Sequence, residues 1–196
     1  MVIDPAWSVK GILDCIDDDD MTLTGALITH YHPDHCGGSM MGFTAEGLPQ
    51  LMTSHPVPVH VNAYEGDGLL KVTELSESDI VRHDSGDRVT VGNIPITLLH
   101  TPGHTPGSQC FQCGDALLSG DTLFTQGCGR VDLPEGDSEE MYRTLTQRLA
   151  KLPDTTILYP GHDYGHPPSA ALSTVRETHH YLRIRSLDDW RQLMGP

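Results

Sequence analysis

The chain has 196 residues, enough to bury a sizeable core in one domain. Its 27 Asp and Glu outnumber 12 Lys and Arg, and the resulting charge of −15 argues against nucleic acid or an anionic membrane surface as partner. No apolar run is long enough to span a membrane, no charged-then-apolar leader is read, and the 12 histidines invite a metal-site search.

Val2-Ile3-Asp4-Pro5 reads as the end of a buried strand. The spacing of Trp7, Ile12, Leu13 and Ile16 predicts a helix over 7–16. The acidic run Asp17 to Asp20 reads as a solvated helix end, because it lacks the Gly and distal Glu of a calcium loop. Short strands are expected over 25–30 and 56–61, then a helix over 63–70. Four more strands follow over 88–91, 94–99, 108–111 and 116–118, with turn signals at Gly92-Asn93, Pro102-Gly103 and Gly114-Asp115. Asp137-Ser-Glu-Glu has a capping-type start, and Met141, Leu145, Leu149 and Leu152 continue it as a helix. A last strand is expected over 155–159, then helices over 170–182 and 187–193. The pattern is a mixed α/β fold, read as a single domain over 1–196.

The five cysteines (Cys15, Cys36, Cys110, Cys113 and Cys128) are odd in number and thinly spread. They favour a reducing, cytoplasmic setting over a disulfide framework. Cys110 and Cys113 have CxxC spacing, but they sit in a strand-like run with no second pair and read as ordinary strand cysteines.

The chemistry centres on Thr29-His30-Tyr31-His32-Pro33-Asp34-His35, where a strand runs into a loop. In extended chain, residues two apart face the same side, so His30 and His32 can grip one ion. Pro33 then bends the path, and Asp34 and His35 can face a second position. Imidazole and carboxylate donors suit zinc, with iron or manganese as alternatives. Tyr31 points the other way and reads as a packing residue. Three further strand ends each offer one donor: His104 in Pro-Gly-His, Asp121 in Ser-Gly-Asp and His162 in a second Pro-Gly-His. Each of these alone reads as an ordinary turn. The remaining histidines (His55, His60, His83, His100, His166, His179 and His180) read as surface imidazoles, except that His100 is read equally as a brace for a ligand or a strand-end residue.

HxHxDH, Pro-Gly-His, Gly-Asp and a second Pro-Gly-His, in this order, resemble the metallo-β-lactamase-fold superfamily. The resemblance runs from Val2 to about Tyr164. Gly120-Asp-Thr-Leu-Phe124, Gly127-Cys-Gly-Arg130, Leu152-Pro-Asp and His162-Asp-Tyr are similar to its glyoxalase II and persulfide dioxygenase branch. The resemblance implies an αββα sandwich and two divalent metal ions. By motif position, His30, His32 and His104 would hold one ion; Asp34, His35 and His162 the other; and Asp121 would bridge them.

That set implies hydrolysis of thioesters, esters or lactones by a hydroxide shared between the metals, with Asp34 as ligand and orienter. The substrate would be a small molecule such as a glutathione conjugate. Arg130 is the candidate for binding its carboxylate, against a structural pairing with Asp132 or Glu135. Tyr164 is a second substrate-binding candidate, and Cys128 reads as structural. The alternative is a mononuclear iron persulfide dioxygenase using only His30, His104 and Asp121.

The chain also departs from the pattern. The usual first β-hairpin is not found before Val2, so either the sandwich is short by about two strands or the true start lies upstream. A sheet left open this way would have an edge for a homodimer or strand exchange to cover. The long C-terminal helical extension of glyoxalase II is absent. Val131-Asp132-Leu133-Pro134 replaces its aromatics and Glu, and an Asp two residues past the Arg is closer to the persulfide dioxygenase pattern.

Overall fold

A computed structural model describes residues 1–164 and 167–195, so His166 lies outside the described residues. The chain divides into two compact units, Met1–Asp84 and Ser85–Pro196.

The first unit runs β1 (Val2–Ile3), α1 (Val9–Asp18), β2 (Ala26–Leu27), α2 (Pro33–Cys36), β3 (Gly38–Met40), β4 (Phe43–Ala45), α3 (Leu48–Ser54), β5 (Val59–Asn62), α4 (Gly66–Thr73) and β6 (Ile80–His83). Strands β1, β2, β5 and β6 form a parallel sheet in that order, and β3 and β4 form a separate hairpin. Among the described residues β1 pairs only with β2, which makes it the edge of the sheet. Ile28, Leu48, Leu51, Val59, Val61 and Leu69 fill the core of this unit. Burial on both faces explains why the segment around β2, Ala26-Leu27-Ile28, reads as an unbroken apolar run.

Several boundaries move from those expected. The first helix starts at Val9 because Ser8 caps it, accepting from the Gly11 N–H at 3.2 Å, while Trp7 has a left-handed φ of 72°. The strand expected over 25–30 stops at Leu27, because the Thr29 N–H turns to the Asp4 carboxylate at 2.7 Å. The helix expected over 63–70 shifts to Gly66–Thr73, because the Asn62 side chain accepts from the Tyr64 N–H at 3.0 Å and holds a turn. The sequence reading contained neither the β3–β4 hairpin nor α3 and β6, all short and without a clear period.

The second unit runs β7 (Arg88–Val91), β8 (Ile94–His100), β9 (Gln109–Cys113), β10 (Ala116–Gly120), α5 (Ser138–Arg143), β11 (Ile157–Pro160), β12 (Ala170–Ala171), α6 (Leu172–Thr178) and α7 (Leu187–Met194). Helix α5 continues through a π turn (Thr144–Arg148) and a 3-10 turn (Leu149–Lys151). The Asp137 side chain caps it, accepting from the Glu140 N–H at 2.9 Å. The sheet order is β12-β11-β10-β9-β8-β7, antiparallel except where α5 crosses between the parallel strands β10 and β11. Leu117, Leu123, Met141, Leu145, Leu158, Leu172 and Trp190 fill this core.

The helix expected over 170–182 is broken at both ends. Ala170–Ala171 pair with β11, and α6 stops at Thr178. His179 is buried, with Nε2 2.8 Å from the Gly127 backbone nitrogen. The five cysteines are free thiols, and Cys110 and Cys113 both lie in β9, as expected.

Candidate metal centre

The first unit carries its donors on the loop between β2 and α2. His30, His32 and His35 are buried, and Asp34 is partly exposed. The His30 ring lies 4.7 Å from that of His32 and 4.1 Å from that of His35. Pro33 opens the short helix that turns Asp34 and His35 out of the extended path. The expected bend is therefore present, and all three imidazoles gather on one side. Tyr31 packs into the core, with its ring against Gly68.

Asp4 organises this loop from the end of β1. Its carboxylate accepts from the Thr29 N–H at 2.7 Å and from the Thr29 hydroxyl at 2.6 Å. It also faces His35 Nδ1 at 2.9 Å. A carboxylate only accepts, so His35 Nδ1 carries the proton and Nε2 keeps its lone pair. The Thr29 hydroxyl gives its one proton to Asp4. It therefore accepts from His30 Nδ1, which lies 3.1 Å away, and His30 takes the same tautomer. Buried Glu65 accepts from the Tyr31 N–H at 2.8 Å and fixes the backbone between His30 and His32.

The second unit carries His104, Asp121 and His162, each just past the end of β8, β10 or β11. His104 Nδ1 lies 2.7 Å from the Arg130 carbonyl oxygen, so it too is protonated at Nδ1 and basic at Nε2. Asp121 turns Oδ2 to His104 Nε2 at 3.8 Å and Oδ1 to His162 Nε2 at 3.5 Å. Asp121 thus presents a different carboxylate oxygen to each imidazole. Gly129 allows the close approach: a Cβ there would lie 2.0 Å from the Asp121 carbonyl oxygen and 2.9 Å from the His104 ring. His100 Nε2 lies 2.8 Å from the Pro106 carbonyl oxygen, in the loop that bears His104.

The donors fit a divalent transition metal. In the first unit, His35 Nε2 faces Asp34 Oδ2 at 3.9 Å, and the second unit repeats the pattern at 3.5 and 3.8 Å. At His35 and His104, whose protons sit on Nδ1, these are two acceptor atoms, which gain nothing by facing each other directly. Donors about 2.1 Å from one tetrahedral ion are about 3.4 Å apart, close to these spacings. Second-sphere partners on Nδ1 are also what metal-binding imidazoles carry.

Arg130 pairs with a neighbour on the exposed side of its loop. Its guanidinium holds Asp132 through two hydrogen bonds of 2.9 and 2.8 Å, which is the structural pairing expected as the alternative to substrate binding. Tyr164 stacks on His162 with ring centroids 5.0 Å apart, and meets the edge of Phe124 at the same distance. Burial pushes the Cys128 thiol up to about 12 and the Cys110 thiol to about 11, so neither is a thiolate nucleophile near neutral pH. Asp4, Glu65 and His179 were not singled out from sequence. Only Asp4 leaves a signal there, a lone acid at a strand end before Pro5.

The profile of the metallo-beta-lactamase superfamily matches residues 1–162. A hydroxyacylglutathione hydrolase from Shewanella loihica is 31% identical over 195 residues, covering 96% of this chain and 68% of that protein. The probable polyketide biosynthesis zinc-dependent hydrolase BaeB of Bacillus velezensis is 28% identical over 184 residues, covering 94% and 76%. The crystal structure of ETHE1 from Myxococcus xanthus aligns with a TM-score of 0.77 at 29% identity, covering 98% of this chain and 77% of that one. Among the described residues, no helix is long and apolar enough to cross a membrane.

Proposed function

Since the chain belongs to the metallo-beta-lactamase superfamily, we propose that it is a dinuclear metal-dependent hydrolase of thioesters or of related esters and lactones. His30, His32 and His104 hold one ion, Asp34, His35 and His162 the other, and Asp121 serves both. The observation that carries this reading is the fixed tautomer of His30, His35 and His104, each with Nδ1 held by a Thr29, Asp4 or Arg130 oxygen. When bound, two divalent ions, zinc by preference, supply Lewis acidity and bring the pKa of water towards about 7.

The chain's own residues do the rest. Asp34, with 32% of its side chain exposed, accepts a hydrogen bond from the attacking water and orients it. Asp4 and Glu65 hold the loop rigid, so the donors need not reorganise during the reaction. Arg130 and Tyr164 bind the leaving-group side of the substrate, which for a glutathione thioester is the peptide and its carboxylates. The burial of Cys110 and Cys128 favours water over a side-chain nucleophile. The whole chain, 1–196, acts as one domain, and a homodimer paired along the β1 edge would cover that strand.

A second reading, a mononuclear iron persulfide dioxygenase built on His30, His104 and Asp121, is favoured by Asp132 two residues past Arg130. Elemental analysis paired with two assays separates the two. About two zinc ions per chain with thioester turnover supports the hydrolase. One iron per chain with oxygen consumption on glutathione persulfide overturns it.

A further inference from the structure

We propose that Trp7, Met41 and Phe43 form an apolar wall beside Asp34 that receives the acyl part of the substrate, so that esters and thioesters of extended apolar acids are preferred to those of small hydroxy acids. This rests on the hydrolase reading and names its substrate class.

Trp7 is 62% exposed, yet it is held at three points. Its N–H donates to the Glu46 carbonyl at 2.9 Å, and its indole Nε1–H donates to the Asp34 carbonyl at 3.0 Å. Its ring meets the edge of Phe43 with centroids 5.7 Å apart. It also has φ 72°, a region that bulky side chains avoid. A surface indole that was merely tolerated would need neither the strained backbone nor three anchors. Strain of this kind persists where the surroundings enforce it, and it gathers at ligand sites.

The neighbours extend the surface. Phe43 is 43% exposed on β4, and Met41 is 78% exposed at the tip of the same hairpin, again with a positive φ of 51°. The indole bond to Asp34 makes the patch continuous with the donor loop of the candidate site. Three side chains are far too few for a protein interface, which takes about 800 Å² from each partner. They match the size of an acyl chain.

The test uses the intrinsic fluorescence of the full chain. Trp190 is fully buried, so the exposed emission belongs to Trp7. The zinc-supplied protein is titrated with S-hexyl- and S-methyl-N-acetylcysteamine, thioethers that cannot be hydrolysed. Each methylene buried against the wall is worth about 4-fold in affinity. The hexyl compound should therefore bind at least about 10-fold tighter and shift the emission to the blue. Phe43→Ser should reduce the hexyl affinity about 10-fold and leave the methyl compound unchanged. Equal affinity for the two thioethers, or a hexyl preference intact in both Phe43→Ser and Met41→Ser, overturns the wall. Hydrolysis rates on hexanoyl and lactoyl thioesters separate the two claims. Turnover with no chain-length preference sinks the wall alone. A hexyl preference with no turnover on any ester or thioester supports the wall and counts against the hydrolase.

Discussion

The Asp4 carboxylate reaches His35 Nδ1 at 2.9 Å across 31 residues of sequence. The same side chain holds the Thr29 N–H and hydroxyl, and through that hydroxyl it sets the tautomer of His30. Asp4→Ala removes the acceptor for His35 Nδ1 and releases the Thr29 hydroxyl that orients His30. Metal affinity should fall about 10- to 100-fold, the usual cost of losing a second-sphere partner. Stability should fall by about 1–3 kcal/mol, because the Thr29 donors are left unsatisfied. Asp4→Asn keeps the shape and loses the charge, so it should lie between the two. Competition with a chromophoric chelator reads the affinity, and an unchanged value in Asp4→Ala would contradict the role.

Gly129 has no space for a side chain. A Cβ at 2.0 Å from the Asp121 carbonyl oxygen meets backbone, which cannot move away as a flexible side chain could. Gly129→Ala should therefore push Asp121 and His104 apart. The expected cost is about 1–3 kcal/mol, typical of overpacking, together with loss of bound metal. Thermal melts of the metal-free and metal-loaded variant check both, since the gain in Tm on adding metal should shrink.

His32→Ala should abolish hydrolysis and lower the metal content by about one ion per chain, because it removes one of three imidazole donors from a single sphere. Near-normal turnover would show that His32 is not a ligand. The variant should fold, since His32 lies on a loop and its ring has no place in the apolar cluster of the first unit.

The candidate donors were legible because they are local. His30, His32, Asp34 and His35 fall within six consecutive positions, and the other three follow strands whose apolar runs are plain. Their supports were not legible, because each acts over a long sequence distance. Asp4 reaches Thr29 over 25 residues, Glu65 reaches Tyr31 over 34, and His179 reaches Gly127 over 52. Periodicity carries no trace of such contacts. The same holds for element ends: Trp7 fits a helical spacing, and only its φ of 72° shows that the helix has not begun. Strands of the second sheet were read closely because Gly-containing turns separate them.

Arg130 is expected to act on substrate binding rather than on the chemical step. Its side chain is exposed, and it pairs with Asp132 on the loop whose carbonyl orients His104. Arg130→Ala should raise KM for a glutathione thioester about 10-fold with kcat little changed, the signature of lost uniform binding. The backbone carbonyl that receives His104 Nδ1 survives the change, so metal content should hold. A fall in kcat with KM unchanged would point to a structural role instead.

His60 gives the fold a dependence on pH that is separate from catalysis. Burial first, and the neighbouring His83 second, lower its pKa from 6.5 to about 4. The two rings meet through His60 Nδ1 and His83 Nε2 at 2.9 Å, a bond that needs one neutral partner as acceptor. Between these pKa values the unfolded chain binds more protons than the folded one, so stability rises with pH across that window. The contribution is complete above about 6.5 and is lost as pH falls towards about 4. A fully buried group with this shift would contribute about 3 kcal/mol. His60 is only half-buried, and solvent screening brings the figure to about 1 kcal/mol. Urea melts of the wild type and His60→Gln between pH 7.5 and 4.5 should show the variant losing less stability on acidification, by about that amount. Parallel losses in the two proteins would mean that His60 titrates alike in the folded and unfolded chain.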